Sequence, residues 1–229
     1  MKAMLLAAGR GERMRPLTDA VPKPLLEAGG KPLLAWHLER LAAAGFREVV
    51  INVSWLGERI VERFGDGADF GLAIAWSRES PAPLETAGGI ATALPLLGEA
   101  PFLLVNSDVF SDFDFSRLRR VSLGRALAHL VLVPNPPHHP LGDFSLDGGR
   151  AGRAQAPRYT YAGIAVLSPR IVAGIRAGSK APLGPLLHAA AERGEASAEM
   201  HHGLWRDVGT PQRLAELDAQ LKERNASKP

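Results

Sequence analysis

The sequence predicts an α/β fold, a Rossmann-like mixed and mainly parallel sheet flanked by helices, and three observations predict it. Apolar or β-branched runs at Lys2–Ala7, Glu48–Val53 and Pro101–Val105 read as strands, the first and third apolar enough to be buried on both faces. Between the first two lies a helical pattern: Leu34, Leu38 and Leu41 recur at helical spacing between Pro32, suited to a first turn, and Gly45, suited to a C-terminal cap. Strand, helix, strand in that order makes a crossover unit and hence parallel pairing. The glycines and charges gather at the carboxyl ends of the strands, the rim where open parallel sheets bind ligands.

Taking the chain in order, the first strand runs into Leu5-Leu6-Ala7-Ala8-Gly9-Arg10-Gly11-Glu12-Arg13-Met14-Arg15-Pro16-Leu17-Thr18, with Pro22-Lys23-Pro24-Leu25 soon after. Small residues, two glycines and a cluster of cations bring bare backbone and positive charge against a polyphosphate, so this is a nucleotide site first. Gly, four residues, then Gly-Lys-Ser/Thr occurs nowhere in the chain, which excludes the kinase-like phosphate loop. Met14 stands where the dinucleotide fingerprint needs its third glycine, which excludes that motif too.

Trp55–Phe64 reads as an amphipathic helix with Leu56, Ile60 and Phe64 on one face, and Leu72–Trp76 as a further strand. Leu84–Leu94 is helical in pattern but holds Gly88 and Gly89, each costing about 1 kcal/mol against alanine, which asks for a close approach by a ligand or by another element. The strand at Pro101–Val105 runs straight into Asn106-Ser107-Asp108, and a carboxylate there faces the same rim as the glycine loop, placed to hold a hard divalent ion through oxygen. Asp112, Asp114 and Ser116 are turn and cap residues before a short helix, and Ala126–Val133 is another strand.

Pro134-Asn135-Pro136-Pro137-His138-His139-Pro140 excludes regular structure, and with the hairpin signal at Gly148-Gly149 the stretch 134–160 reads as an inserted loop region over the sheet, on an otherwise single domain spanning 1–229. Adjacent side chains point apart, so His138 and His139 read as solvated loop residues rather than a metal pair. Tyr159–Leu167 returns to strand, with Gly163 marking a bulge or a ligand near the backbone. Ser168–Ile175 and Pro182–Arg193 read as helices, Ala198–His202 as a short strand, and Pro211–Glu223 as a closing helix after Trp205-Arg206-Asp207-Val208-Gly209-Thr210.

Composition narrows the classes of function. With 229 residues, 46% hydrophobic and 22% charged, the chain has ordinary globular usage and can bury a proper core. The net charge of +3 is spread and aromatics are only 6%, against a nucleic-acid surface, which clusters cations with stacking rings. Absent cysteine excludes disulfides and thiolate metal sites, so a metal must use oxygen or imidazole. No apolar run approaches the ~20 residues of a membrane span, and Gly9, Arg10, Glu12 and Arg13 interrupt any signal-peptide pattern, so a cytoplasmic protein is expected, with no membrane or nucleic-acid partner.

Leu-Ala-Ala-Gly-x-Gly-x-Arg-Met-x-Pro-Leu-Thr with the downstream Pro-Lys-Pro-Leu resembles the signature of the sugar-1-phosphate nucleotidyltransferases, and Trp-x-Asp-Val-Gly-Thr-Pro from Trp205 is a second, independent point of resemblance. Together they cover nearly the whole chain and imply the nucleotide-diphospho-sugar transferase fold. The resemblance implies that Ala8, Gly9, Gly11, Glu12 and Arg13 shape the nucleotide loop, that Gly88 lies against the base and that Asn106 contacts the nucleotide. It also places Arg15 at the leaving pyrophosphate and Lys23 at the α-phosphate. Asp143 and Gly163 would lie on the sugar side, and Asp207 would join Asp108 on Mg²⁺. Ser107 and Ala87 depart from the family, which commonly has glycine at the first and, in the nearest subgroup, at the second.

The short chain, Glu-Thr-x-Gly-Gly-Ile from Glu85, the Asn-Pro-x-His-His loop and Gly142-Asp143-Phe144 look most like the N-acetylmuramate α-1-phosphate uridylyltransferase subgroup. That implies uridylyl transfer from UTP to a sugar 1-phosphate, with pyrophosphate released, in peptidoglycan recycling. The nearest rivals are mannose-1-phosphate guanylyltransferases and glucose-1-phosphate uridylyltransferases. A nucleotide-binding regulatory module without turnover is the alternative of another class.

Overall fold

The computed structural model describes residues 1–153 and 156–226. Its first half runs β1 (Ala3–Leu6), a 3₁₀ turn at Glu12–Met14, α1 (Leu17–Ala20), a small hairpin of β2 (Glu27–Ala28) and β3 (Lys31–Pro32), α2 (Leu33–Ala43), β4 (Glu48–Val53), α3 (Gly57–Phe64), β5 (Ala73–Arg78), α4 (Glu85–Leu97) and β6 (Phe102–Asn106). The second half runs β7 (Val109–Ser111), β8 (Ala128–Val133), β9 (Phe144–Asp147), β10 (Arg150–Gly152), β11 (Arg158–Leu167), α5 (Gly184–Glu192), β12 (Ala196–Met200), β13 (Trp205–Asp207) and α6 (Pro211–Ala226).

Nine strands form one sheet in the order β5-β4-β1-β6-β11-β8-β12-β10-β9. Strands β5, β4, β1 and β6 are mutually parallel, β11 is antiparallel to both β6 and β8, and β12 is parallel to β8, giving the mixed, mainly parallel sheet expected. Successive residues of a strand point to opposite faces. Leu5, Ile51 and Val105 therefore pack with Leu34, Leu38 and Ile60 of α2 and α3, while Met4, Val50 and Leu104 pack with Ile90, Ala93 and Leu187 of α4 and α5. A third cluster matters most for the site: Leu214, Leu217 and Leu221 of α6 pack with Met14, Leu26, Phe110 and Val208, which pins the C-terminal motif against the first glycine loop.

Three expectations need correction. Of the stretch 134–160, residues 134–143 carry no helix or strand, but the rest belongs to the sheet rather than lying over it: Gly148 and Gly149, at φ 52° and 79°, turn a hairpin whose β9 pairs with β11 and whose β10 pairs with β12, closing a ring of five strands. Phe144 and Ala151 are buried there, an apolar content that a loop could not hide. Residues 154 and 155 of that stretch fall outside the described residues. Helix α3 starts at Gly57 because Leu56 takes a left-handed conformation at φ 51°, so Leu56 precedes the helical face it was expected to share. The helix expected over Ser168–Ile175 is a single 3₁₀ turn at Pro169–Val172. Strands β7 and β13 carry no sequence signal, since three residues are too few to show a period.

Candidate active site

Two asparagines flank the end of β1. Asn52, next to the last residue of β4, and Asn106 at the end of β6 are both in register with Leu6. Asn52 Oδ1 accepts the Ala7 N–H at 2.8 Å, and the Ser107 N–H and Oγ donate to the Leu6 carbonyl at 3.2 and 2.5 Å, so the chain entering the glycine loop is held from both sides. Ser107 thus clamps Leu6 with both its backbone and its hydroxyl.

Beyond this clamp opens a cleft of about 710 Å³, lined among others by Ala8, Gly9, Gly11, Glu12, Arg13, Lys23, Asn106 and Asp108. Gly11 is left-handed at φ 67°, and a Cβ there would stand 2.9 Å from Thr18 Cγ2. The turn is tied down by Thr18 Oγ1, which donates to the Gly11 carbonyl at 2.8 Å. Arg10 lays its guanidinium over the Trp55 ring, 4.6 Å from its centre.

Lys23, fixed in a 3₁₀ turn between Pro22 and Pro24, is nearly buried and donates to Asp108 Oδ2 at 2.9 Å. Asp207 arrives from the far end of the chain: β13 pairs with β7, placing Asp207 opposite Val109, and the Val208 N–H donates to the Asp108 carbonyl at 2.8 Å. Gly209 follows because a Cβ would meet Asp207 Oδ1 and Arg213 Nη2 at 2.9 Å and Arg13 Nη2 at 3.2 Å. Asp207 Oδ2 is held by Arg213 and by His138 Nε2 at 3.3 Å. Behind the Asp108 turn lies His37, whose burial pushes it down to about 4 against the pull of the Val109 and Ser107 backbone and the Asp108 carboxylate, so it is neutral near pH 7.

Across the sheet, Gly163 at φ 73° makes a bulge between Tyr161 and Ala165. A side chain there would collide with Asn106, 2.9 Å away at Nδ2, so this glycine makes room for that asparagine. Asp143 Oδ2 accepts the Tyr161 N–H at 2.8 Å and Oδ1 meets His139 Nε2 at 3.0 Å. The Tyr161 hydroxyl is buried without a hydrogen-bond partner, and burial, then the Asp143 charge, push it up. His138 and His139 are therefore not merely solvated: each reaches a carboxylate.

Two expected residues stand elsewhere. Gly88 is buried against the 179–181 segment, where a Cβ would lie 2.1 Å from the Ser179 carbonyl oxygen; its missing side chain admits that backbone rather than a base. The cleft wall at that end of α4 is made by Glu85 and Thr86. Arg15 pairs with Asp19 at 3.2 Å on the surface, outside the cleft lining, while Arg13 lines it. The sequence reading also missed Asn52, Glu79, Lys180 and Arg213. Asn52 had a visible signal, since a polar residue stands next to the last in β4 as Asn106 ends β6.

Asp108, in the turn between β6 and β7, and Asp207, at the end of β13 beside that turn, are both oxygen donors, and among the described residues there is no cluster of three or more metal-type ligands. That suits Mg²⁺, which takes one or two carboxylates and fills the rest with water and substrate phosphates.

Residues 2–150 match the nucleotidyl transferase family. An N-acetylmuramate alpha-1-phosphate uridylyltransferase of Neisseria meningitidis serogroup B is 52% identical over 96% of this chain and 97% of its own. The mannose-1-phosphate guanylyltransferase catalytic subunit beta of Danio rerio is 33% identical over 92% of this chain, which spans 62% of that longer protein. Among solved structures, a Bacillus anthracis protein described as a glucose-1-phosphate thymidylyltransferase, crystallised with sucrose, superposes with a TM-score of 0.84 at 18% identity, covering 97% of this chain and 96% of its own, a likeness of fold.

Proposed function

The chain belongs to the nucleotidyl transferase family, and from that premise we propose that it transfers a uridylyl group from UTP to N-acetylmuramate α-1-phosphate, giving the UDP-sugar and pyrophosphate. The observation that carries this reading is the contact of Lys23 with Asp108 at one end of a cleft whose floor is the glycine loop, with the β7–β13 pairing bringing Asp207 beside the Asp108 turn. Identity of 52% to the Neisseria relative, against 33% to the Danio rerio mannose-1-phosphate guanylyltransferase subunit, supports the muramate sugar over mannose 1-phosphate.

In the reaction a phosphate oxygen of the sugar phosphate bonds to the α-phosphorus of UTP, and the bond from that phosphorus to the bridging oxygen of pyrophosphate breaks. Both reactants are anionic, so alignment and charge are the main difficulties, and a phosphate monoester is already a competent nucleophile. The glycine loop admits the phosphates close to backbone. Lys23, a compact charge on a flexible stem, is suited to follow charge as it moves from Asp108 toward the α-phosphate. Arg13 rather than Arg15 is placed to meet the leaving pyrophosphate. Asp108 and Asp207 would hold Mg²⁺, which when bound offsets phosphate charge. Asp143 would offer its carboxylate on the sugar side.

No helix among the described residues is long and apolar enough to cross a membrane, which fits a cytoplasmic role in re-using cell-wall sugar. A regulatory module without turnover would have no need of Lys23, Asp108 and Asp207 together. Pyrophosphate release from UTP with N-acetylmuramate α-1-phosphate and Mg²⁺ tests the proposal; UTP binding without product from any sugar phosphate would favour the module.

A further inference from the structure

Resting on the nucleotide reading above, the geometry points to Asn52 and Glu79 as positioning residues that set the spacing between the phosphate loop and the wall that receives the base. The cleft spans the ends of four strands, from Asp108 after β6 to Ala82, Pro83, Glu85 and Thr86 beyond β5. Three inter-strand steps make about 14 Å, a fitting span for a nucleotide whose phosphates lie at Asp108 and whose base meets the far wall.

A buried chain of hydrogen bonds ties these ends together. Asn52 accepts from the Ala7 N–H with Oδ1 at 2.8 Å and donates with Nδ2 to Glu79 Oε1 at 2.6 Å; Glu79 Oε2 accepts the Leu84 N–H at 2.7 Å. Asn52 and Glu79 are only 3% and 5% exposed. The Leu84 bond fixes the start of α4, where Glu85 takes the left-handed conformation, at φ 59°, that leads into the cleft wall. Glu85 also meets Lys180 at 3.3 Å across the same wall.

The fold gives up stability to keep this chain. A carboxylate withdrawn from water is destabilising, and well-packed apolar side chains in the same space would avoid that penalty. Gly89, in mid-helix where alanine is favoured, leaves the room: a Cβ there would lie 2.5 Å from Glu79 Oε1 and 2.9 Å from Asn52 Nδ2. This accounts for the second glycine of the α4 motif, as Ser179 accounts for the first.

The test compares Glu79→Gln, Gly89→Ala, Asn52→Asp and the double variant Asn52→Asp/Glu79→Gln, read by steady-state kinetics, base discrimination, Tm and amide hydrogen exchange. Each single change leaves a mismatched pair or a clash and is expected to raise KM for UTP roughly tenfold, the scale of one lost buried bond to a charged group. The KM for the sugar phosphate and kcat should stay within about threefold of wild type, with selectivity for UTP over CTP narrowed. Exchange at the Ala7 amide should quicken in Glu79→Gln, although Glu79 does not touch Ala7. In the double variant the donor and acceptor exchange places. The carboxylate introduced at position 52 accepts from the Ala7 N–H and from the amide introduced at position 79, whose own oxygen accepts from the Leu84 N–H. That variant should recover UTP affinity and Ala7 protection. Unchanged UTP KM and Ala7 exchange in both Glu79→Gln and Gly89→Ala would overturn the inference. So would a double variant no better than its worse parent, or a parallel rise of both KM values with a fall in Tm, the mark of a merely structural role. Absence of turnover by the wild type would sink the nucleotidyl-transfer reading alone, since UTP affinity by calorimetry, together with exchange at Ala7 and Leu84, decides the positioning role without it.

Discussion

The two sides of the cleft are built differently. On the nucleotide side the polar groups are taken up by the protein itself: Asn52 and Glu79 are buried and fully engaged, and Ser107 clamps Leu6. On the sugar side the histidines that reach Asp207 and Asp143 stand on a proline-rich loop with side chains 43% and 41% exposed. The first side is a fixed frame, preorganised before UTP arrives. The second adds to each of its carboxylates an exposed histidine pair that substrate or metal can readily replace, beside the firmer holds of Arg213 on Asp207 and the Tyr161 N–H on Asp143. Between the two lie Lys23 and Asp108, which both sides need.

Substitutions at the shared centre should break both sides at once. Asp108→Asn or Asp207→Asn is expected to lower kcat by about 10²–10³-fold or more, the scale of losing one preorganised electrostatic group, with little change in Tm. Lys23→Ala should cost about 10²-fold in kcat, and Lys23→Arg should recover only part of it, since a rigid fork cannot follow charge as an ammonium does. On the sugar side, Asp143→Asn is expected to raise KM for the sugar phosphate roughly tenfold while leaving KM for UTP unchanged, as loss of one charged hydrogen-bonding partner would do. Together with Glu79→Gln, which acts on the opposite KM, this splits the two sides kinetically; a shift of both constants by either variant would merge them.

A further expected effect is on stability and concerns the packing behind the Asp108 turn. His37 titrates near 4 in the fold and near 6.5 when unfolded. As pH falls below 6.5 the unfolded chain gains a proton that the folded chain refuses, so stability drops between pH 6.5 and about 4 and levels off below. The loss attributable to His37 is about 3 kcal/mol at most. Denaturation midpoints of wild type and His37→Leu, measured from pH 7 to 4, check it: the wild type should be the more acid-sensitive of the two.

Much of the frame was legible because it rests on short-range patterns. Leu34, Leu38 and Leu41 announce α2, Gly163 announces the bulge, and the strand ends at Leu6 and Asn106 announce the rim. What escaped depends on register and on which way a side chain leaves a turn. Glu79 means nothing in a string until β5 lies beside β4 and brings it to Asn52. Arg13 and Arg15 are interchangeable by type; the turn at Glu12–Met14 sends one to the cleft and the other to Asp19. Gly88 and Gly89 were visible as anomalies in a helix, but only packing shows that one admits Ser179 and the other Glu79. Asp207 was found through its motif, whereas its partners Arg213 and His138 are ordinary helix and loop residues until α6 docks.

The central claim is that a frame holding UTP and a carboxylate pair holding the reacting phosphates cooperate in one transfer. Its most direct measurement is pyrophosphate release from each of the four NTPs against N-acetylmuramate, mannose and glucose 1-phosphates, with Mg²⁺, for the wild type and Asp108→Asn. The expected result is rapid release for UTP with N-acetylmuramate α-1-phosphate, one pyrophosphate per UDP-sugar formed, and near silence from Asp108→Asn. Equal release by Asp108→Asn, or preferred use of another base with another sugar, would contradict it.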